Sequence, residues 1–595
     1  MTNVTHLCYI FINKYKNLSN IELAIDPRYK FEFDPDKKVL NIECQNILPE
    51  DFWGQGIYSL TGIFGNNGAG KSTSIRFILE AIVKGSGEQS VNGIIVCESN
   101  NCLHIYSQDE DIKVNSTVKL SFKTKVQLDD IKITSFYYTG YFVPDYSYNI
   151  LSNQYGDFYN ASIGCRFFLD IEKFANTTDN YLKIPISTYL VSYNSQNNYR
   201  ICNFLIKDEL RENIKGLKFP RYVIFGPNRG GQDHFKFHFN TNNQLEENIK
   251  KYIKEPVFSF TDEKDKTLAR FIHHCILNGM AESHYFTNAF TLFDEWYSFL
   301  DQKKEVLPQL HEFIDKRTDK GEATGLRTIE QVLTKLNECV HINDFGGFYL
   351  DSNKDQKEIL DLIETAKKNN IYLTTRFFDL YYSHEINENT TLSSGEQAML
   401  NLFSLIYDAV VTRPQKSSNH SAPSLLILDE AELGFHPEWQ RNFISMLVNF
   451  VNSLSVVAGH DFQIILTSHS PILLSDIPTC CCNYLEYKNS KTINVKNNQP
   501  ETFSNNVFEL YRNSFFLKEG LIGYFAEKKM KKLEKDIKDG KNGVVQMINL
   551  IGDRRLKMYF EDLFMNSSKA KKEENELLIK EYQKRINQLR KQNNE

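Results

Sequence analysis

The chain has 595 residues, of which 41% are hydrophobic and 13% aromatic, and its formal net charge is −6. A chain of this size and apolar content can form the cores of two to four domains and is not typical of a disordered protein. The negative charge argues against a uniformly basic nucleic-acid-binding surface, although local basic patches stay open. Without an apolar run of about 18 residues or a signal peptide, the expectation is a cytoplasmic protein with no membrane partner.

The first half of the chain contains three regions that differ in predicted secondary structure. Short alternating strands are predicted at 6–12, 21–25 and 39–43, followed by a glycine-rich loop and a helix over 72–83. From about 90 to 240, dense Asn, Ser and Tyr with alternating apolar positions indicate a β-rich lobe. Apolar residues at helical spacing then predict a compact helical arm over 245–370.

The second half returns to alternating elements. A strand near 371–382, a helix over 398–410, a strand at 425–428, a helix over 437–451 and a strand at 463–467 are predicted. This order is typical of an α/β fold with a mostly parallel sheet flanked by helices.

The glycine-rich loop matches the pattern G-x-x-x-x-G-K-[ST] in full. It consists of Gly65, Asn66, Asn67, Gly68, Ala69, Gly70, Lys71 and Ser72, with Thr73 next in the helix. Glycines let the backbone wrap closely around phosphates, and the helix N-terminus that follows adds a favourable field. Lys71 is expected to reach the β- and γ-phosphates of ATP, and the Ser72 hydroxyl to bind Mg²⁺.

A second site element is the apolar strand that ends in Asp429 and Glu430. Ligands of parallel sheets bind at the carboxyl ends of the strands. Asp429 is therefore a candidate Mg²⁺ residue, and Glu430 a candidate general base for an attacking water. Alone this pattern is weak, because many strands end in acidic residues.

The third element opens a helix with Leu392, Ser393, Ser394, Gly395, Glu396 and Gln397. This segment resembles the signature motif of the ABC ATPase superfamily, in the LS-[SG]-GE form of its SMC, RecF and OLD branches. The resemblance implies that Ser393, Ser394, Gly395 and Gln397 contact the ATP held by a second protomer. The alternative is a simple capping box, with Glu396 three residues after Ser393.

A histidine follows the next strand, in the segment Thr467-Ser468-His469-Ser470-Pro471. It is similar to the switch histidine of the same superfamily, which implies that His469 senses the γ-phosphate and takes part in catalysis with Glu430. The alternative is a structural histidine. The superfamily's Q-loop glutamine is not assignable, with Gln127 and Gln154 as candidates.

The spacing of these motifs indicates which branches of the superfamily the chain resembles. Lys71 and Leu392 are 321 residues apart, which matches the large insertions of SMC, RecF and OLD-like heads, and no sustained heptad repeat indicates a long coiled coil. The implied fold is an α/β, ABC-type (RecF/SMC head-like) P-loop ATPase with a mixed sheet. Its predicted segments are a head in two parts (1–90 and 371–500), the β-rich lobe (91–244), the helical arm (245–370) and a helical C-terminal region (501–595).

The region after Glu430 and the tail resemble OLD-like ATPases of bacterial anti-phage systems, in particular the ATPase subunit of Septu, including its retron-linked versions. The segments that carry this resemblance are 429–440, 468–478, 503–520 and 550–555. No nuclease motif is evident, so the resemblance implies a homodimer, or a higher oligomer, with a separate HNH nuclease subunit. The rival hypothesis is a RecF/SMC-like repair ATPase that binds DNA directly.

The last residues offer two interpretations. Leu578, Tyr582, Ile586 and Leu589 are spaced as one helical stripe. The stripe fits either a helix that docks on a partner or a solvated, partly ordered tail. The basic bias of 526–595 leaves a nucleic-acid partner open, although acidic residues are interleaved.

Overall fold

The computed structural model forms two compact units, Met1–Phe516 and Leu517–Glu595. The structure describes residues 5–45, 47–84, 92–107, 109, 111–118, 121–124, 133–141, 158–166, 186–212, 214, 218–227, 259–281, 289–317, 320–338, 341–342, 348–368, 378–386, 392–416, 422–488, 491–495, 501–514, 523–567 and 583–584. The candidates Gln127 and Gln154 and the stripe residues Leu578 to Leu589 lie outside these ranges.

Every strand that the structure describes belongs to the first unit. They are β1 (His6–Tyr15), β2 (Leu18–Ala24), β3 (Tyr29–Asp34), β4 (Val39–Cys44), β5 (Ile57–Gly65), β6 (Gly93–Ser99), β7 (Cys102–Ser107), β8 (Lys113–Ser116), β9 (Ser121–Thr124), β10 (Ser135–Thr139), β11 (Phe158–Asn160), β12 (Tyr222–Pro227), β13 (Phe348–Asp351), β14 (Phe378–Ser383), β15 (Leu425–Asp429), β16 (Phe462–Ser468), β17 (Cys482–Lys488) and β18 (Lys491–Asn494).

The helices occur in both units. They are α1 (Lys71–Lys84), α2 (Ile186–Leu205), α3 (Asp208–Glu212), α4 (Glu263–Ala281), α5 (Ala289–Phe299), α6 (Val306–Asp315), α7 (Lys320–Glu338), α8 (Gln356–Lys368), α9 (Ser394–Tyr407), α10 (Arg413–Lys416), α11 (Pro437–Ala458), α12 (Pro471–Leu474), α13 (Val507–Ser514), α14 (Tyr524–Lys538), α15 (Val544–Asn549) and α16 (Arg554–Met565). A π-helical turn, Asp408–Thr412, joins α9 to α10.

The central sheet positions the predicted site. Among the described residues its strand order is β11-β10-β15-β16-β5-β17-β18, and every pair is parallel except β17 with β18. Its middle strands β15 and β16 are buried along their whole length, as expected for strands covered on both faces. Their register places Thr139, Asp429 and Thr467 side by side at the carboxyl edge.

Helix α1 lies between two sheets. Its buried residues pack with the central sheet on one side and, on the other, with the mainly antiparallel sheet β2-β1-β6-β7-β9. The outer face of this second sheet is covered by a smaller sheet, β3-β4-β8. Helices α2, α9 and α11 contribute to the core on the opposite face of the central sheet. The mixed α/β architecture with a mainly parallel central sheet agrees with the predicted α/β class, and its assignment to the ABC-type heads stays a prediction.

Helices α4 to α8 lie between β12 and β14 in the chain. Helices α4 to α8 pack in the main core together with the antiparallel sheet β13-β12-β14. In the second unit, α14, α15 and α16 surround a small core of Leu533, Ile537, Val544, Ile548 and Phe560.

The described parts of the range 90–240 contain helices as well as strands. Strands β6 to β11 of this range belong to the central sheet, the second sheet and the small sheet β3-β4-β8, whereas β12 pairs with β13 and β14. Helices α2 and α3 also lie within the range. Helix α2 is rich in Asn, Ser and Tyr, which have low helix propensity, but Tyr199, Cys202 and Phe204 are buried in the main core. Packing of this apolar face outweighs local propensity. The division of the chain into five segments stays a prediction.

Candidate functional site: a nucleotide site at the carboxyl edge of the central sheet

The phosphate loop joins β5 to α1 and is shaped by its glycines. A Cβ atom on Gly65 would lie 2.1 Å from the carbonyl oxygen of Leu485, and one on Gly70 would lie 2.6 Å from a methyl group of Leu18. Gly68 and Gly70 have φ angles of +77° and +94°, which non-glycine residues rarely adopt. The loop can therefore keep its backbone close to β17, while α1 begins at Lys71 and directs its free N–H groups towards the loop.

Lys71 is buried against the strand ends. Its Nζ donates to the carbonyl oxygen of Gly65 at 3.2 Å and lies 2.6 Å from Nε2 of His469. Burial lowers the pKa of Lys71, while the carboxylates of Glu430 and Asp429 act in the opposite direction. The phosphate loop, the strand ends and the histidine segment therefore lie close together.

Asp429 is held by three hydroxyl groups. Its Oδ1 accepts hydrogen bonds from Ser72, at 3.3 Å, and from Thr467, and its Oδ2 lies 3.4 Å from the Tyr137 hydroxyl. Burial raises the pKa of Asp429, and the bond from Thr467 partly offsets this. A hydroxyl and a carboxylate oxygen side by side are the hard oxygen donors that Mg²⁺ prefers, so Ser72 and Asp429 fit the predicted metal.

Glu430 leaves the strand in an unusual backbone conformation. Its φ is +52°, and its N–H donates to the backbone and side-chain oxygens of Thr467, both at 3.1 Å. Oε1 lies 3.0 Å from Nε2 of His469. Burial raises the pKa of Glu430, but hydrogen bonds from His469 and Tyr141 and the charge of Lys71 outweigh it, so the net pKa is below the ordinary value. An ionised carboxylate in this position can accept a proton.

A third acidic residue, Glu432, was not singled out from the sequence. It is 6% exposed and accepts a hydrogen bond from the hydroxyl of Ser468, directly before His469. A second link joins the same two segments, because Ser470 donates to Gln440 at 2.7 Å. Burial raises the pKa of Glu432 to about 7. In the sequence, Glu432 is marked only by its position in Asp-Glu-Ala-Glu, two residues after Glu430. A single sequence gives no reason to select this glutamate from the other acidic residues.

The signature segment lies at the start of α9. Ser393 caps the helix: its Oγ accepts from the N–H of Glu396 at 3.3 Å, and the Glu396 carboxylate accepts from the N–H of Ser393 at 2.8 Å. This is the capping box of the alternative interpretation. His384 binds the other oxygen of Glu396 at 3.1 Å, and Gln397 donates to Asn401 at 3.0 Å.

The signature is not brought to the phosphate loop of the same chain. Within the described residues, the hydrogen bonds of Ser393, Glu396 and Gln397 remain inside the segment or reach His384 and Asn401. Ser393 and Ser394 are exposed, and an added Cβ on Gly395 would have no atom within 4 Å. A capping box fixes this turn without occupying its outer surface, so its predicted contact with ATP stays a prediction.

The comparisons with known proteins support an ATPase-type protein. Residues 235–475 match the family model described as an AAA domain, putative AbiEii toxin, Type IV TA system. That range includes the signature segment, Asp429, Glu430 and His469, and it excludes the phosphate loop. None of the described helices is both long enough and apolar enough to span a membrane.

A curated relative and two solved structures are similar to the chain. The Retron Vc95 probable ATPase of Vibrio cholerae serotype O1 biovar El Tor is 23% identical over 201 residues, 32% of this chain. The chain spans about a third, 37%, of that relative's length. The Pyrococcus furiosus Smc head domain, bound to the C-terminal domain of ScpA, is 10% identical with a TM-score of 0.24, over 83% of this chain and 96% of that one. The recombination mediator RecF is 12% identical with a TM-score of 0.22, over 83% and 99%.

Proposed function

We propose that this chain is the ATP-hydrolysing regulatory subunit of a bacterial anti-phage defence complex, in which two heads close around ATP and control an associated HNH-type nuclease. The observation that supports hydrolysis is the convergence of Lys71, Asp429, Glu430 and His469 at one sheet edge, with His469 Nε2 at 2.6 Å from Lys71 and 3.0 Å from Glu430. Similarity to the retron ATPase supports the defence role.

Each residue has a defined part in the proposed reaction. Lys71 and the N–H groups of the phosphate loop hold the β- and γ-phosphates. Ser72 and Asp429 bind Mg²⁺, which would neutralise phosphate charge when bound. Glu430 takes the proton of the attacking water, and His469 senses the γ-phosphate.

The second protomer supplies the signature segment. Ser394 and the Gly395 amide lie at a helix N-terminus, where anions are favoured. Their exposure leaves them available to the ATP held on Lys71 of a second copy. Each composite site therefore combines a phosphate loop from one chain with a signature from the other; assemblies larger than a dimer stay open.

Complementation between two inactive variants tests the composite site. Lys71→Ala removes the phosphate-loop lysine. Gly395→Glu places a charged side chain at the surface of the signature, where an added Cβ meets no atom of the described chain within 4 Å. Each variant alone is expected to be inactive. Their mixture regains ATP hydrolysis, because one composite site of the heterodimer then has an intact loop and an intact signature.

The matched control mixes Lys71→Ala with the double variant Lys71→Ala/Gly395→Glu, which leaves every composite site defective. Equal activity in the two mixtures would argue against hydrolysis between protomers. In a separate test, Glu430→Gln should accumulate an ATP-bound dimer in size-exclusion chromatography. If that variant hydrolyses ATP at the wild-type rate, Glu430 is not the base.

The defence role needs a test of its own. The tagged chain is purified from its native host with the neighbouring genes intact, and co-purifying proteins are identified by mass spectrometry. A stoichiometric small HNH nuclease is the expected result. Recovery with DNA and repair factors, together with DNA binding that weakens steeply with salt, would instead favour the RecF/SMC-like alternative.

A further inference from the structure

Two arginines contact the ring of Tyr159 at the edge of the central sheet, and a third lies near enough to act on it electrostatically. Tyr159 lies in β11, and the guanidinium carbons of Arg166 and Arg413 are 3.9 and 4.8 Å from its ring centroid. Arg200, 7% exposed, is close enough for its charge to oppose the rise in the pKa of Tyr159 that burial causes. These residues come from separate parts of the chain, so only the fold assembles them.

Positive charge exceeds negative charge in this cluster. Among the described residues, the carboxylate facing Tyr159 is that of Asp408, whose Oδ2 accepts from the Tyr159 hydroxyl at 2.9 Å. Burial lowers the pKa of Arg413, and the positive charge of Arg166 lowers it further. Two guanidinium groups that repel each other in a poorly solvated place are costly unless an anion joins them.

Arg166 also has an unused hydrogen-bonding edge. The residue is 5% exposed, and its Nε and Nη2 are buried with no hydrogen-bond partner in the part of the chain that the structure describes.

Elsewhere in this protein the same edge holds a carboxylate. Nε and Nη2 of Arg28 donate to Oδ1 and Oδ2 of Asp26 at 3.2 and 2.8 Å, and those of Arg221 both donate to Oδ2 of Asp351, at 2.9 and 2.7 Å. An Nε/Nη2 edge matches two oxygens of one carboxylate or phosphate. The open edge of Arg166 therefore points to an oxyanion.

We propose that Arg166 and Arg413, beside Tyr159, form a binding site for a small phosphate-bearing anion, separate from the phosphate loop. A phosphate is favoured over a carboxylate because its second negative charge matches the excess of guanidinium groups. Arg413 is only half-buried, which leaves a route for the ligand from solvent.

The site lies at the end of the signature helix. Asp408 is the first residue of the π-helical turn that follows α9, and Arg413 directly follows that turn. Such turns are frequent at functional sites. Ser394, at the start of α9, is 19 residues before Arg413, or about 28 Å along the helix axis. One helix thus connects the proposed anion site to the signature segment.

The test measures phosphate binding with the nucleotide site already filled. The full chain is saturated with a non-hydrolysable ATP analogue and Mg²⁺, and its thermal midpoint is followed as inorganic phosphate replaces chloride at constant ionic strength. A saturable rise in the midpoint is expected. In Arg166→Gln the half-saturating phosphate concentration should rise at least about tenfold, because a charge-assisted bidentate contact is lost.

Arg221→Gln is the matched control: it removes the same group, but from an edge that Asp351 already occupies, and it should leave the phosphate response unchanged. If wild type shows no response beyond chloride, or if Arg166→Gln responds like wild type, the site does not exist. If Arg166→Gln does not fold, the test uses Arg413→Gln, which changes a half-buried residue. Its half-saturating phosphate concentration should rise several-fold. If that concentration equals the wild-type value, the proposal is overturned.

The source of the phosphate is separated by a second titration, with AMP. Half-saturation by AMP at a concentration about tenfold lower than by inorganic phosphate identifies a nucleotide as the ligand. Equal concentrations identify free phosphate.

Discussion

Nζ of Lys71 lies 2.6 Å from Nε2 of His469, and the same ring nitrogen is 3.0 Å from Oε1 of Glu430. An ammonium group only donates hydrogen bonds, and a carboxylate only accepts them. Nε2 must accept from Lys71 or donate to Glu430, and it cannot do both at once. His469 therefore has two mutually exclusive hydrogen-bonding states, one facing the phosphate-loop lysine and one facing the proposed base.

Replacement of His469 tests whether this choice matters for hydrolysis. His469→Ala is expected to lower the single-turnover rate of ATP hydrolysis about 100-fold, as for loss of one organising donor. The Kd for ATP should change by only a few-fold, because Lys71 and the loop remain. His311→Ala, in the exposed part of the arm, is the control and should keep the wild-type rate. An unchanged rate in His469→Ala would assign the histidine a structural role.

Two glycines of the phosphate loop should respond differently to alanine. The Cβ of Gly65→Ala meets the carbonyl oxygen of Leu485 at 2.1 Å and must displace β17, which pairs with β5. Gly68→Ala meets no atom within 4 Å and carries only the cost of its positive φ, about 1–2 kcal/mol. Urea denaturation is expected to show the larger loss of unfolding free energy for Gly65→Ala. A larger loss of unfolding free energy for Gly68→Ala would show that β17 can shift away from the added methyl group at little cost.

Several features of the site could be predicted because they are local. The phosphate loop, the acids after β15 and His469 after β16 each directly follow an apolar strand. Parallel strands with adjacent carboxyl ends then bring these segments together. The α/β class followed from the alternation of strands and helices along the chain, whereas the ABC-type assignment came from the resemblance of the motifs.

Other features depend on contacts between distant parts of the chain. Helix α2 has a sequence of low helix propensity and forms where the core covers it. Glu432 acquires its raised pKa from burial beside Ser468, 36 residues away. The arginines around Tyr159 come from three segments with no common motif. Tertiary packing decides all three, and a single sequence does not reveal it.

Glu432 should make stability depend on pH. Its pKa of about 7 is above the value of about 4.3 for an exposed glutamate. The folded chain therefore keeps this proton where the unfolded chain has lost it, and the unfolding free energy falls as pH rises from about 4 to about 7.

Glu432→Gln removes the titrating carboxyl group and with it this pH-dependent contribution to the unfolding free energy. Wild type should lose about 3 kcal/mol relative to the variant between pH 5 and pH 8 in urea denaturation. Glu438→Gln, an exposed glutamate in the first turn of α11, is the control and should follow wild type. Parallel pH profiles for wild type and Glu432→Gln would show that Glu432 titrates in the ordinary range.

The buried amide of Gln463 connects the two sheets that enclose α1. Gln463 lies in β16, and Leu7 lies in β1. The side-chain amide of Gln463 accepts from the N–H of Leu7 at 2.8 Å and donates to the carbonyl oxygen of Leu7 at 2.7 Å, as the backbone of a paired strand would. Gln463→Leu keeps the volume but leaves both backbone groups unpaired, so the unfolding free energy should fall by about 2–4 kcal/mol in urea denaturation. Asn115→Ala, which removes one exposed hydrogen bond to Asn41, should change it by no more than about 0.5 kcal/mol. Equal losses in the two variants would mean that water or a rearranged β1 satisfies Leu7, and that the sheets are held together by apolar packing around α1 alone.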